Sequence, residues 1–155
     1  MIKEKDIVKK LKDNWNNYFP ELIGCKLEYT LKDSRVDILS SVPVNFKELG
    51  LRDHDYYCNS PVFFEVKYNS NMRDLMFELQ KLIIHREFYM NYGKAFCVIC
   101  VISDEFDEYM VEFMEANNIL MYKLSLKDED IDTLIIEEYN STKFELEQIQ
   151  DKIVI

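Results

Sequence analysis

A chain of 155 residues with 48% hydrophobic and 14% aromatic side chains has the length and apolar content of one folded domain, not of a disordered segment. Only 3 Gly and 3 Pro leave little room for linkers, no apolar run is long enough to span a bilayer, and residues 1–6 lack a signal-peptide core, so a soluble cytoplasmic protein is expected, with no membrane partner. The formal net charge of −10 argues against a strong stand-alone nucleic-acid binder, because such proteins ordinarily present a basic patch. A local patch on an acidic protein, or divalent metals offsetting carboxylates, would meet that objection.

Residues 3–19 carry Ile7, Val8, Leu11, Trp15, Tyr18 and Phe19 at helical spacing, with Lys and Asp on the other side, and Pro20 stops the pattern. Glu4 lies four residues before Val8, on or beside the apolar stripe. It is either an N-terminal acid favoured by the helix dipole or a carboxylate aimed at the sheet. Residues 26–31 and 35–40 alternate in polarity about the turn at 32–34 and predict a hairpin. Asp37 interrupts the second of these strands, and Asp is depleted from strand interiors, so it is either a solvated edge residue or a functional one.

Residues 41–60 read as a long connection containing Pro43, Gly50 and the polar cluster Arg52, Asp53, His54 and Asp55. Residues 62–68 then read as a strand whose successive side chains point to opposite faces. Phe64, Val66 and Tyr68 share one face, and Phe63, Glu65 and Lys67 share the other. Two charges on so apolar a strand need a partner or a metal, since burying charge alone is costly.

A helix is predicted over residues 71–92, with Ser70 as N-cap, a stripe through Met72, Leu75, Met76, Leu79, Leu82, Ile83 and Arg86, and Gly93 as the stop. Gln80, His85 and Tyr89 are the polar-capable residues near that stripe. Residues 95–102 are apolar throughout, the pattern of a central strand covered on both faces. Within it Cys97 and Cys100 have CxxC spacing but point to opposite faces, so they and the other 2 of the 4 Cys read as core thiols. A helix over 104–117 and a strand over 119–124 follow, and this strand–helix–strand order suggests parallel pairing through a right-handed crossover. Beyond residue 125, Leu134, Ile135 and Ile136 form a short strand or an exposed apolar element, and residues 144–152 resemble a short helix.

The elements run α-β-β-β-α-β-α-β in one domain of α/β class, with Asp37 in the second strand, Glu65-Val66-Lys67 in the third and Gln80 on the next helix. This ordered set resembles the PD-(D/E)xK nuclease superfamily, with its restriction-endonuclease-like mixed sheet flanked by helices. Glu4 is similar to the additional acid of the resolvase-like and RecB-like branches. The resemblance covers about residues 4–124, leaving 125–155 as an extension. The chain departs from the family's Pro-Asp dipeptide in having Val36 before Asp37.

The resemblance implies a Mg²⁺- or Mn²⁺-dependent nuclease that hydrolyses DNA phosphodiester bonds in repair, recombination or mobile-element and defence processing. Asp37, Glu65, the carbonyl of Val66 and Glu4 would hold the metal. Lys67 would orient or help deprotonate the attacking water or stabilise charge, and Gln80 would position Lys67, water or phosphate. Such a set suits Mg²⁺, which takes hard oxygen ligands and needs only one or two carboxylates. The acidic charge favours a second possibility, a non-catalytic interaction subunit on the same fold or an acidic inhibitor that mimics nucleic acid. A third is an unrelated small α/β binding module in which Glu65 and Lys67 lie on an exposed edge strand. A homodimer or another protein partner is a further expectation, with residues 134–136 and 153–155 supplying apolar surface.

Overall fold

A computed structural model describes residues 1–31, 35–48, 50, 52–70, 72–91 and 97–139. The N-terminal stripe folds as two helices, α1 (Glu4–Asp13) and α2 (Trp15–Tyr18). Asn14 separates them with a non-helical backbone (φ −127°), and its amide donates back to the carbonyl of Lys10 at 3.2 Å. Ile7, Leu11, Trp15 and Phe19 are nevertheless all buried on one side, so the break tilts the apolar stripe without scattering it. Asp6 starts α1 by accepting the backbone N–H of Lys3 at 2.9 Å.

Among the described residues six strands follow: β1 (Ile23–Thr30), β2 (Arg35–Asn45), β3 (Tyr57–Lys67), β4 (Val98–Ser103), β5 (Leu120–Lys127) and β6 (Asp130–Glu138). Helix α3 (Met72–Asn91) joins β3 to β4, and α4 (Glu108–Ala116) joins β4 to β5. They form one mixed sheet in the order β1-β2-β3-β4-β5-β6. The pairs β1–β2, β2–β3 and β5–β6 are antiparallel, and β3–β4 and β4–β5 are parallel. The protein is therefore of α/β class, as expected, with β6 as a full edge strand where the sequence suggested a short element.

Alternation along β3 sorts the core into two layers. Phe64 and Val66 face α1 and α2, in a cluster with Ile7, Leu11, Trp15, Phe19, Ile102 and Tyr122. Phe63 faces the other way, among Leu75, Leu79 and Leu82 of α3, Met110 and Met114 of α4, and Val101. The two cysteines of β4 obey the same rule: Cys97 joins the second cluster and Cys100 the first, which places the CxxC thiols on opposite sides of the sheet.

Two sequence expectations change. The connection predicted over 41–60 is mostly strand: β2 and β3 pair from Ile38 with Phe64 to Asn45 with Tyr57, leaving a turn between residues 46 and 56. Pro43 and Pro61 are tolerated because each needs a partner strand on one side only. The pairing of β1 with β2 ends at Ile23 with Ser41, and β4 pairing begins at Val62. Asn45 closes the turn, its amide donating to Asp55 at 3.0 Å and its oxygen accepting from Lys47 N–H at 3.0 Å. At the other end, Leu134 is buried in the first cluster and Ile136 packs against it, so of residues 134–136 only Ile135 presents a largely exposed side chain. The helix expected over 144–152 and the apolar segment 153–155 lie outside the described residues. No helix among the described residues is long and apolar enough to cross a membrane.

Candidate active site

At the C-terminal end of β3 the apolar run 62–64 gives way to charge, and there the sheet and its covering helices bring four acidic side chains near one lysine. Asp37 on β2 lies one step beyond the Ile38–Phe64 pair, which sets it beside Glu65. Its Oδ2 accepts the backbone N–H of Val66 at 2.8 Å, fixing the carboxylate against β3. Glu65 is only 2% exposed, flanked by β4 through its pairing with Val101 and on the face covered by α3. Its carboxyl lies within hydrogen-bonding reach of Asp37 and of Glu78, while its Oε1 is buried with no hydrogen-bond partner among the described residues. Lys67 follows on the same face, and its Nζ is 3.0 Å from Oε2 of Glu78 on α3. That oxygen is otherwise without a hydrogen-bond partner among the described residues, so the contact is an ion pair more than an aligned hydrogen bond.

Glu4 arrives from the opposite layer. Its Oε1 accepts the backbone N–H of Tyr68 at 3.3 Å and the hydroxyl of Ser70. The first residue of α1 thus ties down the β3–α3 connection and adds negative potential near Lys67.

Burial and crowding make these groups electrostatically unusual. Burial raises the Glu65 carboxyl well above the ordinary carboxylate range, and the negative charges of Asp37 and Glu78 add to it. Asp37 is raised too: burial outweighs the Val66 N–H and the positive charge of Lys67, which pull the other way. Burial acts to lower Lys67, but Glu78, Glu4 and Glu65 together outweigh it and raise its proton affinity. A carboxyl that binds its proton more tightly when folded is stabilising below its unfolded range and loses that contribution as pH climbs toward its folded value. Thermal stability should therefore fall as pH rises from about 4 toward neutrality, and more steeply in the wild type than in Glu65→Gln. Scanning calorimetry of both proteins across that window checks the difference, and parallel curves would remove Glu65 as the source.

Of the residues singled out in the sequence, the structure brings together Asp37, Glu65, Lys67 and Glu4, with Val66 entering through its backbone N–H. It does not bring Gln80 to them: Gln80 is exposed on α3. The helix residue that reaches Lys67 is Glu78, three positions after the buried Leu75 and hence on the sheet-facing side. That spacing was visible in the sequence, but a Glu bordering an apolar stripe is ordinarily a solvated neighbour of the core.

Among the described residues, no group of three or more His, Cys, Asp and Glu side chains is placed to hold a metal ion. The donors on offer are the two carboxylates of Asp37 and Glu65. The unpartnered Oε1 of Glu65 is a hard oxygen acceptor, the kind of ligand Mg²⁺ and Mn²⁺ prefer. No protein-family model matches this chain, and no curated protein is significantly similar to it.

Proposed function

We propose that this chain is a metal-dependent nuclease of restriction-endonuclease-like fold that hydrolyses DNA phosphodiester bonds, acting in repair, recombination or mobile-element and defence processing. The observation that carries this reading is the gathering of Asp37, Glu65 and Lys67 at the end of one buried strand, with an orphaned carboxylate oxygen among them. The element order about that strand, two antiparallel strands before it and a helix into a parallel strand after it, supports the same reading.

Asp37 and Glu65 would hold Mg²⁺ or Mn²⁺, with the backbone of Val66 as a further oxygen source. Bound there, the ion supplies charge neutralisation at the phosphate and a more acidic water. The chain's own residues do the rest. Val66 N–H keeps Asp37 oriented, and burial of Glu65 excludes bulk water from its free oxygen. Lys67 would orient the attacking water or stabilise the negative charge that builds on the phosphate. Glu4 would hold the β3–α3 connection that carries Lys67.

The test is cleavage of linear, nicked and single-stranded DNA by the purified chain with Mg²⁺ or Mn²⁺. Lys67→Met should lower the rate by about 10²-fold or more, in the range for loss of a proton-transfer or charge-stabilising group. Undiminished cleavage in that variant would overturn the assignment. A second reading, a non-catalytic subunit or nucleic-acid mimic, is favoured by the net charge of −10. Calorimetric titration separates the two: a folded protein that takes up neither Mg²⁺ nor Mn²⁺ would favour the second.

A further inference from the structure

We propose that Glu78 is the positioning residue for Lys67: it draws the ammonium toward α3 and so keeps Asp37 and Glu65 free to accept a cation. The inference rests on the nuclease reading above. Lys67 leaves β3 on the same face as Glu65, two residues away, with Asp37 on the neighbouring strand. In such company an ammonium would be expected to settle on one of those carboxylates. Instead, among the described residues the carboxylate within 4.0 Å of Nζ is that of Glu78, at 3.0 Å.

The helix makes this possible. Leu75, Leu79 and Leu82 anchor α3 on Phe63 and Val101, and Glu78 rides the same face over the end of β3. The Glu78 side chain is 42% exposed against 12% for Lys67, while the Oε2 that meets Nζ is itself buried, so the pair lies just beneath the surface at the edge of the site. Without the charge of Glu78, Lys67 falls back on Glu65 and Asp37 and neutralises the two groups a cation needs. Gln80, the helix residue the sequence pointed to, is exposed and takes no part in this pairing.

Kinetics of Glu78→Gln and Glu78→Asp on duplex DNA with Mg²⁺ test the proposal. Glu78→Gln should lower kcat by about 10–100-fold and raise the Mg²⁺ concentration needed for half-maximal rate, with KM for DNA nearly unchanged, as expected for a residue acting through a neighbour. Glu78→Asp, which keeps the charge but shortens the reach, should recover only part of the loss. Wild-type kcat in Glu78→Gln, or a loss confined to KM, would overturn the role. A double-mutant cycle of Glu78→Gln with Lys67→Met, read by chemical unfolding, needs no activity. It should show coupling of about 3-fold or more in the unfolding constant, and additivity would overturn the pairing itself. A wild type that cleaves nothing would overturn the nuclease reading and the catalytic placement of Glu78 with it. A wild type that cleaves while Glu78→Gln cleaves equally well would overturn the Glu78 role alone.

Discussion

Replacing Glu65 by glutamine should make the protein more stable and inactive at once. Glu65 is 2% exposed, has an oxygen with no hydrogen-bond partner among the described residues, and faces the negative charges of Asp37 and Glu78. An amide of the same shape cannot ionise, so it removes the penalty for charging this buried group and still offers hydrogens to its neighbours. Relief of an unsatisfied buried group is worth about 1–3 kcal/mol. For a domain of this size each kcal/mol moves the thermal midpoint by about 2–4 °C, so a rise of several degrees is expected near neutral pH. Metal-dependent cleavage should fall by about 10³-fold, since the amide is a far poorer cation ligand than the carboxylate. Mg²⁺ should raise the midpoint of the wild type but leave Glu65→Gln unmoved. The combination is diagnostic, because a purely structural Glu65 would give a less stable protein with unchanged cation response.

Phe64→Ala carries the largest expected loss of stability. Phe64 is fully buried on the opposite face of the same strand, with ring centroids 5.2 Å from Trp15 and 5.0 Å from Phe19. Phe19 in turn meets Tyr122 edge-on at 5.1 Å, so the rings join α2, β3 and β5. Truncation leaves a cavity at the centre of this cluster and should cost about 3–5 kcal/mol, lowering the midpoint by about 10 °C. Phe77, 63% exposed on α3, is the contrast: its truncation should change stability by no more than about 0.5 kcal/mol. Urea unfolding of both variants measures the difference. A loss at Phe64 as small as that at Phe77 would mean that the ring cluster does not hold α2 to the sheet.

What could be read from the sequence was whatever a fixed period encodes. Alternation along β3 placed Glu65 and Lys67 opposite Phe64 and Val66, and the same alternation set Cys97 and Cys100 on different faces. What escaped depended on neighbours distant in the chain. Pro43 and Pro61 look like strand breakers, and only the absence of a pairing strand on one side lets them stand inside β2 and β3. Leu134, Ile135 and Ile136 read as one apolar run, and only the packing against the first cluster shows that Leu134 and Ile136 face inward while Ile135 does not. Gln80 was chosen by residue type and sequence position, whereas the register of α3 over the end of β3 delivers Glu78. A helix period says which residues share a face. It does not say which of them stands over a particular strand end.

The spatial order of the strands repeats their order along the chain. Asp37, Glu65, Lys67 and Glu78 consequently belong to one continuous stretch of polypeptide, with Glu4 alone contributed from farther away. A chain emerging from the ribosome can zip β2 onto β3 by a short loop closure, the inexpensive kind of contact in folding kinetics. That pairing alone is enough to set Asp37 beside Glu65. Burying Glu65 takes more: α3, which covers its face, and β4, which pairs along Val62–Lys67. The gathering of the acidic groups is thus a local affair of the chain, and the cost of taking them from water is carried by the apolar elements that follow.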